Sequence, residues 1–226
     1  MRLTITRWLG REFVFLTGEA PRCATVRDEL QGIVREMEHE LNRHGLALGD
    51  TVRTRLWATD RASRNEASRE RRRIFDGAAR SVSSSFIAPD VFSSGARVAL
   101  DVVALRASPA VGPKDLHEYD PPIVPLRFLR LDSLVFLSGV TSVRATLSEQ
   151  VHEIVGHITE SLRDAGTDWD RVERMSCFLH RSQALTALDG VLRDAVPKAP
   201  PLVEYAFVDG YSDEGKLVEI ETTARG

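Results

Sequence analysis

The chain has 226 residues, of which 42% are hydrophobic and 28% charged, the balance of a globular protein long enough to bury a sizeable core. Its 30 basic and 33 acidic residues leave a net charge of −3, so no global field draws it to nucleic acid or to an anionic membrane. Apolar runs such as 98–105 are far too short to span a bilayer, and two cysteines 154 positions apart make neither a disulfide framework nor a zinc ligand set. Arg2 and Arg7 stand in a segment with no signal-like apolar stretch, and a reduced, cytoplasmic protein is the expectation.

In chain order, a hairpin is expected from 2–8 and 12–17, turning at Gly10, and its second strand reads FVFLTGEA (13–20). From 26 to 41, Leu30, Ile33, Val34, Met37 and Leu41 recur at helical steps, and the pattern stops at a glycine, Gly45. A strand follows within 49–60, then a helix-compatible stretch at 63–77, and two strands that end in VALDVVA (98–104). The segment 107–122 is rich in proline, has no period and reads as a linker.

After it the pattern returns. A hairpin is expected from 124–130 and 134–138, and LVFLSGVT (134–141) matches the earlier strand with its glycine, Gly139, 121 positions after Gly18. Leu147, Val151, Ile154, Val155, Ile158 and Leu162 form the second long helical face, which stops at Gly166, again 121 positions after Gly45. A strand within 168–181, a helix at 182–195 and closing strands that end in VEIETTA (218–224) complete the repeat. The chain is therefore read as two tandem domains, 1–106 and 123–226, each β-β-α-β-α-β-β.

The order of strand with Ser/Thr-Gly, long helix, Ala-Gly or His-Gly stop, amphipathic strand, second helix and a Val-Glu-Ile-Glu closing strand resembles the RidA/YjgF family, twice over. That resemblance implies an α+β, chorismate-mutase-like fold in each half, a mixed sheet with two helices on one face. It implies clefts between neighbouring domains as ligand sites and a homotrimer, since two domains per chain do not complete a three-domain ring. Strand faces near 82–87 and 203–208 are then expected to expose apolar surface. The activity implied is cofactor-independent hydrolysis of a reactive imine or enamine, a deaminase reaction. In it an arginine holds the carboxylate of a small metabolite and a closing-strand glutamate handles water and protons. A chorismatase-like hydrolase on the same fold, and a binding module without activity, are the alternatives.

Carried over residue by residue, the resemblance divides the pair. Arg80, followed by Ser81, stands at the arginine position of the first half, whose closing strand has Ala99 at the glutamate position and Asp101 at the second acid. The second half has Glu219 and Glu221 at the acids, but Pro200 at the arginine position, with Lys198 the nearest cation. Either one composite site uses Arg80 and Glu219, or both sites have drifted to other chemistry. Strand alternation sends Val218 and Ile220 to one face and the two acids to the other.

The remaining candidates are weighed on their residue types. Gly18 and Gly139 offer either close backbone approach to a ligand or a turn with positive φ. Cys23, beside Arg22, is a reactive thiol at a site mouth or a small loop residue. Asp189 bonds a substrate polar group, caps a helix or faces solvent, and Cys177 reads as core. His152 and His157 are five apart, which turns them about 140° from each other on a helix and disfavours a shared metal. The run Arg69–Arg73 reads as an exposed, salt-bridged helix face beside Glu66 and Glu70. No phosphate-binding loop is present in the sequence, so no nucleotide cofactor is expected, and the histidine spacing gives no expectation of a metal.

Overall fold

A computed structural model of the chain describes residues 1–106 and 113–226, which form two compact units, 1–114 and 115–226. The first contains β1 (Arg2–Trp8), β2 (Arg11–Glu19), α1 (Val26–Arg43), β3 (Thr51–Ala58), α2 (Arg61–Ile74), β4 (Val82–Ile87) and β5 (Val98–Leu105). Its sheet runs β1-β2-β5-β3-β4, antiparallel except for the β3–β4 pair, which the α2 crossover makes parallel. The second unit contains β6 (Asp115–His117), β7 (Phe128–Leu131), β8 (Leu134–Thr141), α3 (Leu147–Asp164), β9 (Val172–His180), α4 (Leu185–Ala195), β10 (Leu202–Val208) and β11 (Val218–Arg225). Its sheet runs β10-β9-β11-β8-β7-β6, with β9 and β10 parallel. The α+β tandem expected from the repeat is the fold.

Each sheet carries its two helices on one face. In the first unit Val14, Leu16, Leu56, Leu100 and Val102 meet Leu30, Ile33, Met37 and Leu41 of α1. In the second, Val135, Leu137, Cys177, Leu179, Val218 and Ile220 meet Val151, Ile154, Ile158 and Leu162 of α3. Both long helices start on a threonine whose hydroxyl accepts the N3 amide: Thr25 from Asp28 and Thr146 from Glu149. Both end as the glycine spacing predicts. Gly45 (φ 66°) and Gly166 (φ 75°) take the left-handed conformation just past the helix, and the amides of Leu46 and Thr167 bond back to Leu41 and Leu162.

Some boundaries differ from expectation for identifiable reasons. The hairpin strand expected at 124–130 begins only at Phe128, because Pro125 has no N–H for the ladder. Asp60 caps α2 by accepting the Ser63 amide at 2.9 Å, so that helix starts at Arg61. The stretch read as linker contains β6, which pairs with β7 and extends the second sheet; residues 107–112 of that stretch lie outside the described residues.

Candidate active site

The polar face of the second sheet, opposite its helices, is where titratable groups gather. β11 lies between β8 and β9, and its alternation places Val218 and Ile220, fully buried, among the helices. Glu219 and Glu221 point to the other face and are also buried, at 6% and 1% exposure. Glu219 is flanked by Thr141 on β8 and Phe178 on β9, and Glu221 by Ser176 on β9. On β8 the register shifts: Val140 faces Ile220 and Leu137 faces Thr222, so Ser138 and Gly139 together oppose Glu221. That bulge re-aims the strand beside the two acids. Buried carboxylates need partners, and neither acid is without one.

Two tyrosines from outside the regular elements reach the electrostatic neighbourhood of Glu219. Tyr211, fully buried, donates its hydroxyl to the Phe178 carbonyl at 2.8 Å. Burial first, and then the Glu219 charge, push that hydroxyl well above the ordinary phenol range. Tyr119 is raised too, by burial and by Glu219 against the opposing pull of Arg127. Both phenols therefore stay protonated donors at neutral pH. His180, at the end of β9, lies 6.4 Å from Tyr211 between ring centroids, and its Nδ1 accepts from the Ser182 amide at 3.2 Å and lies 2.8 Å from Ser182 Oγ. Glu204 on β10 accepts from Arg174 Nε at 3.0 Å and from Ser176 Oγ at 3.1 Å, which fills the far side of the same face.

The other candidates fall elsewhere. Arg80 is in the first unit, half-buried, just after a 3-10 turn (Gly77–Ala79), and its carbonyl accepts from Lys114 Nζ at 2.9 Å. Ser81 follows it, 7% exposed, with an Oγ that finds no hydrogen-bond partner among the described residues. Asp101 on β5 accepts from Trp57 Nε1 at 2.8 Å. Asp189 is on α4, the helix-covered side of the second sheet, so the sheet itself separates it from Glu219.

Cys23 is in the loop after β2. Its amide donates to Glu29 at 3.2 Å and its carbonyl accepts from Arg97 at 3.0 Å, while its Sγ donates to the Pro21 carbonyl at 3.4 Å. Neither Gly18 nor Gly139 has positive φ. Gly18 is on the helix side of β2, where a Cβ would come within 2.8 Å of the Met1 side chain, so its smallness makes room for packing. Cys177 is buried, and burial pushes its thiol up to about 12. His152 and His157 are exposed on α3, and no cluster of three metal-ligating residues occurs among the described residues.

The run Arg69–Arg73 departs from the expected exposed face at two positions, Glu70 and Arg71, both buried. Arg71 is buried and donates to the Ser84 carbonyl at 2.6 Å and to Ser85 Oγ at 3.0 Å. Tyr119, Tyr211 and His180 are the site residues that sequence reasoning missed. Tyr119 stood in the proline-rich stretch and Tyr211 in a turn, and neither carries a local signal.

No protein-family profile and no curated protein matches the sequence. Solved structures do. A chorismatase aligns over 97% of this chain and 78% of its own, with a TM-score of 0.66 at 15% identity. A member of the YjgF/YER057c/UK114 family from Mycobacterium tuberculosis aligns over 50% of this chain and 99% of its own, at 21% identity and a TM-score of 0.46. RidA from the Antarctic bacterium Psychrobacter aligns over 45% of this chain and 87% of its own, at 18% identity and a TM-score of 0.41. At these identities the likeness is one of fold. Over 97% of its length the chain shares its fold with the chorismatase.

Proposed function

We propose that the chain is a cofactor-independent, Rid-type enzyme that hydrolyses an imine or enamine of a small carboxylated metabolite. The observation that carries this reading is Glu219, a carboxylate 6% exposed on the closing strand, in the field of two protonated phenols. A buried acid with neutral donors beside it suits proton transfer at the reacting centre. Water adds through its oxygen to the C=N carbon. Glu219 takes the proton that water releases and returns it to nitrogen, giving a carbinolamine. The same carboxylate then takes the hydroxyl proton and delivers it to nitrogen as the C–N bond breaks, leaving a ketone and ammonia. Tyr119 Oη–H, which has no hydrogen-bond partner among the described residues, is the donor suited to the developing oxygen charge.

Glu219→Gln preserves shape and cannot exchange a proton. Ammonia release from an enzymatically generated 2-aminoacrylate should fall at least about a hundredfold, with the far-UV circular dichroism unchanged. Undiminished release in this variant would reject the assignment. A chorismatase-like reaction is the second reading, favoured by the alignment over 97% of the chain. Pyruvate release from chorismate, without ammonia, would select it. Neither product with either substrate class would leave a binding module.

A further inference from the structure

The second unit has a cavity on the side away from Glu219. It measures about 370 Å³ and lies between α4 and β10, a volume at the small-ligand end of binding sites. Its wall is largely apolar, with Met175, Leu192, Val196 and Val203 among its residues, and three polar residues also line it: half-buried Asp189 and exposed Arg193 and Tyr205. Asp189 and Arg193 are four apart on α4, so both side chains leave the helix on one face, one turn from each other. No ion pair joins them, and Arg193 enters none among the described residues. Tyr205 is exposed overall, yet partial burial first, and then the Asp189 carboxylate, raise the pKa of its hydroxyl, so the two groups share one electrostatic neighbourhood. An ionised carboxylate has about four lone-pair sites, so Asp189 has acceptor capacity for a ligand.

A carboxylate and a guanidinium one turn apart, over an apolar wall, present opposite charges at the spacing of a zwitterion. A ligand with only a carboxylate leaves Asp189 unanswered, and one with only an amine leaves Arg193 unanswered. We infer that this cavity binds an α-amino acid with an apolar side chain, its ammonium on Asp189, its carboxylate on Arg193, and its side chain against Met175, Leu192 and Val203. The site is separate from the Glu219 face, because Asp189 and Tyr205 are on the helix side of the sheet while Glu219 is on the other. The inference does not rest on the proposed hydrolysis.

The test uses the full chain with methyl-labelled methionine. The protein has three methionines, Met1, Met37 and Met175, so Met175 reports the cavity with two internal controls. L-Leucine at millimolar concentration should shift the Met175 methyl resonance saturably and leave the other two in place. 4-Methylpentanoate and 3-methylbutylamine, each missing one charge, should bind about tenfold more weakly or worse, the scale of a lost charge-assisted hydrogen bond. Asp189→Asn and Arg193→Gln should each weaken L-leucine by a similar factor with unchanged melting curves, and Glu219→Gln should leave its affinity as it was. A Met175 resonance that stays fixed overturns the inference. So does equal binding of the singly charged analogues, or full affinity in both Asp189→Asn and Arg193→Gln. Loss of ammonia release in Glu219→Gln has no bearing on these outcomes, so this site and the proposed activity fail independently.

Discussion

A guanidinium binds a carboxylate through two parallel N–H donors, a geometry that lysine cannot copy. Arg80 has its carbonyl fixed by Lys114, so substitution of its side chain leaves that clamp intact. If Arg80 anchors substrate, Arg80→Ala should cost about 1.5–3 kcal/mol of binding, and Arg80→Lys should recover only part of it. Calorimetric titration with the substrate's carboxylate product checks this, and unchanged affinity would make Arg80 a structural residue. Lys114 itself has a distinct expected behaviour. Its ammonium donates to the Thr51 carbonyl at 2.8 Å and to that of Arg80, yet burial lowers its pKa to about 8 despite the opposing pull of Asp50. Between about pH 8 and the unfolded value near 10.5 the unfolded chain binds more protons, so stability rises with pH across that window. Lys114→Gln should lack that gain, and urea titrations of both proteins from pH 7.5 to about 10 would show it.

At the scale of elements, the two second helices are held by different forces. α4 buries Leu188 and Leu192, whereas α2 buries Ser63, Ala67, Glu70 and Arg71 and so has little apolar surface to offer. Polar contacts make up the difference. Arg71 bonds to β4, and Glu70 accepts from Gln31 of α1 at 2.7 Å and pairs with Arg27 and Arg73. Arg71→Met should therefore destabilise the protein by about 1–3 kcal/mol, since it strands a buried carbonyl. Arg72→Ala, at an exposed neighbour, should change stability by about 0.5 kcal/mol or less, and denaturant midpoints compare the two. The burial of Arg71 had a signal in the sequence: it stands four after Ala67 and eight after Ser63, on the face that meets the sheet. A run of arginines hides that periodicity, because charge rather than spacing dominates the reading.

For the whole molecule, assembly is the open expectation. β4 was expected to expose apolar surface and does not: Val82 and Phe86 are fully buried, and the Phe86 ring packs 5.1 Å from that of Trp57. β10 fits better, an edge strand with Leu202, Tyr205 and Phe207 at about 40% exposure, and β1 is the other sheet's edge, with Ile5 at 40%. Exposed apolar edge strands invite pairing with another chain. A homotrimer is the proposal, and light scattering should give about three times the 25.2 kDa chain mass. A monomer across micromolar concentrations would remove it.

The sequence by itself determined the duplication, the order of elements in each half and the alternation that turns Glu219 away from the core. Those properties are local, written in periods of two and 3.6 residues and in the glycines that stop helices. The tertiary structure alone decided what surrounds that glutamate. Tyr119 precedes it by 100 positions and Tyr211 by eight, and the sheet brings them into one electrostatic neighbourhood because β11 lies in its middle. It also decided that Asp189 belongs to a cavity on the opposite side of the sheet, since a helix position carries no mark of which side of a strand it will cover.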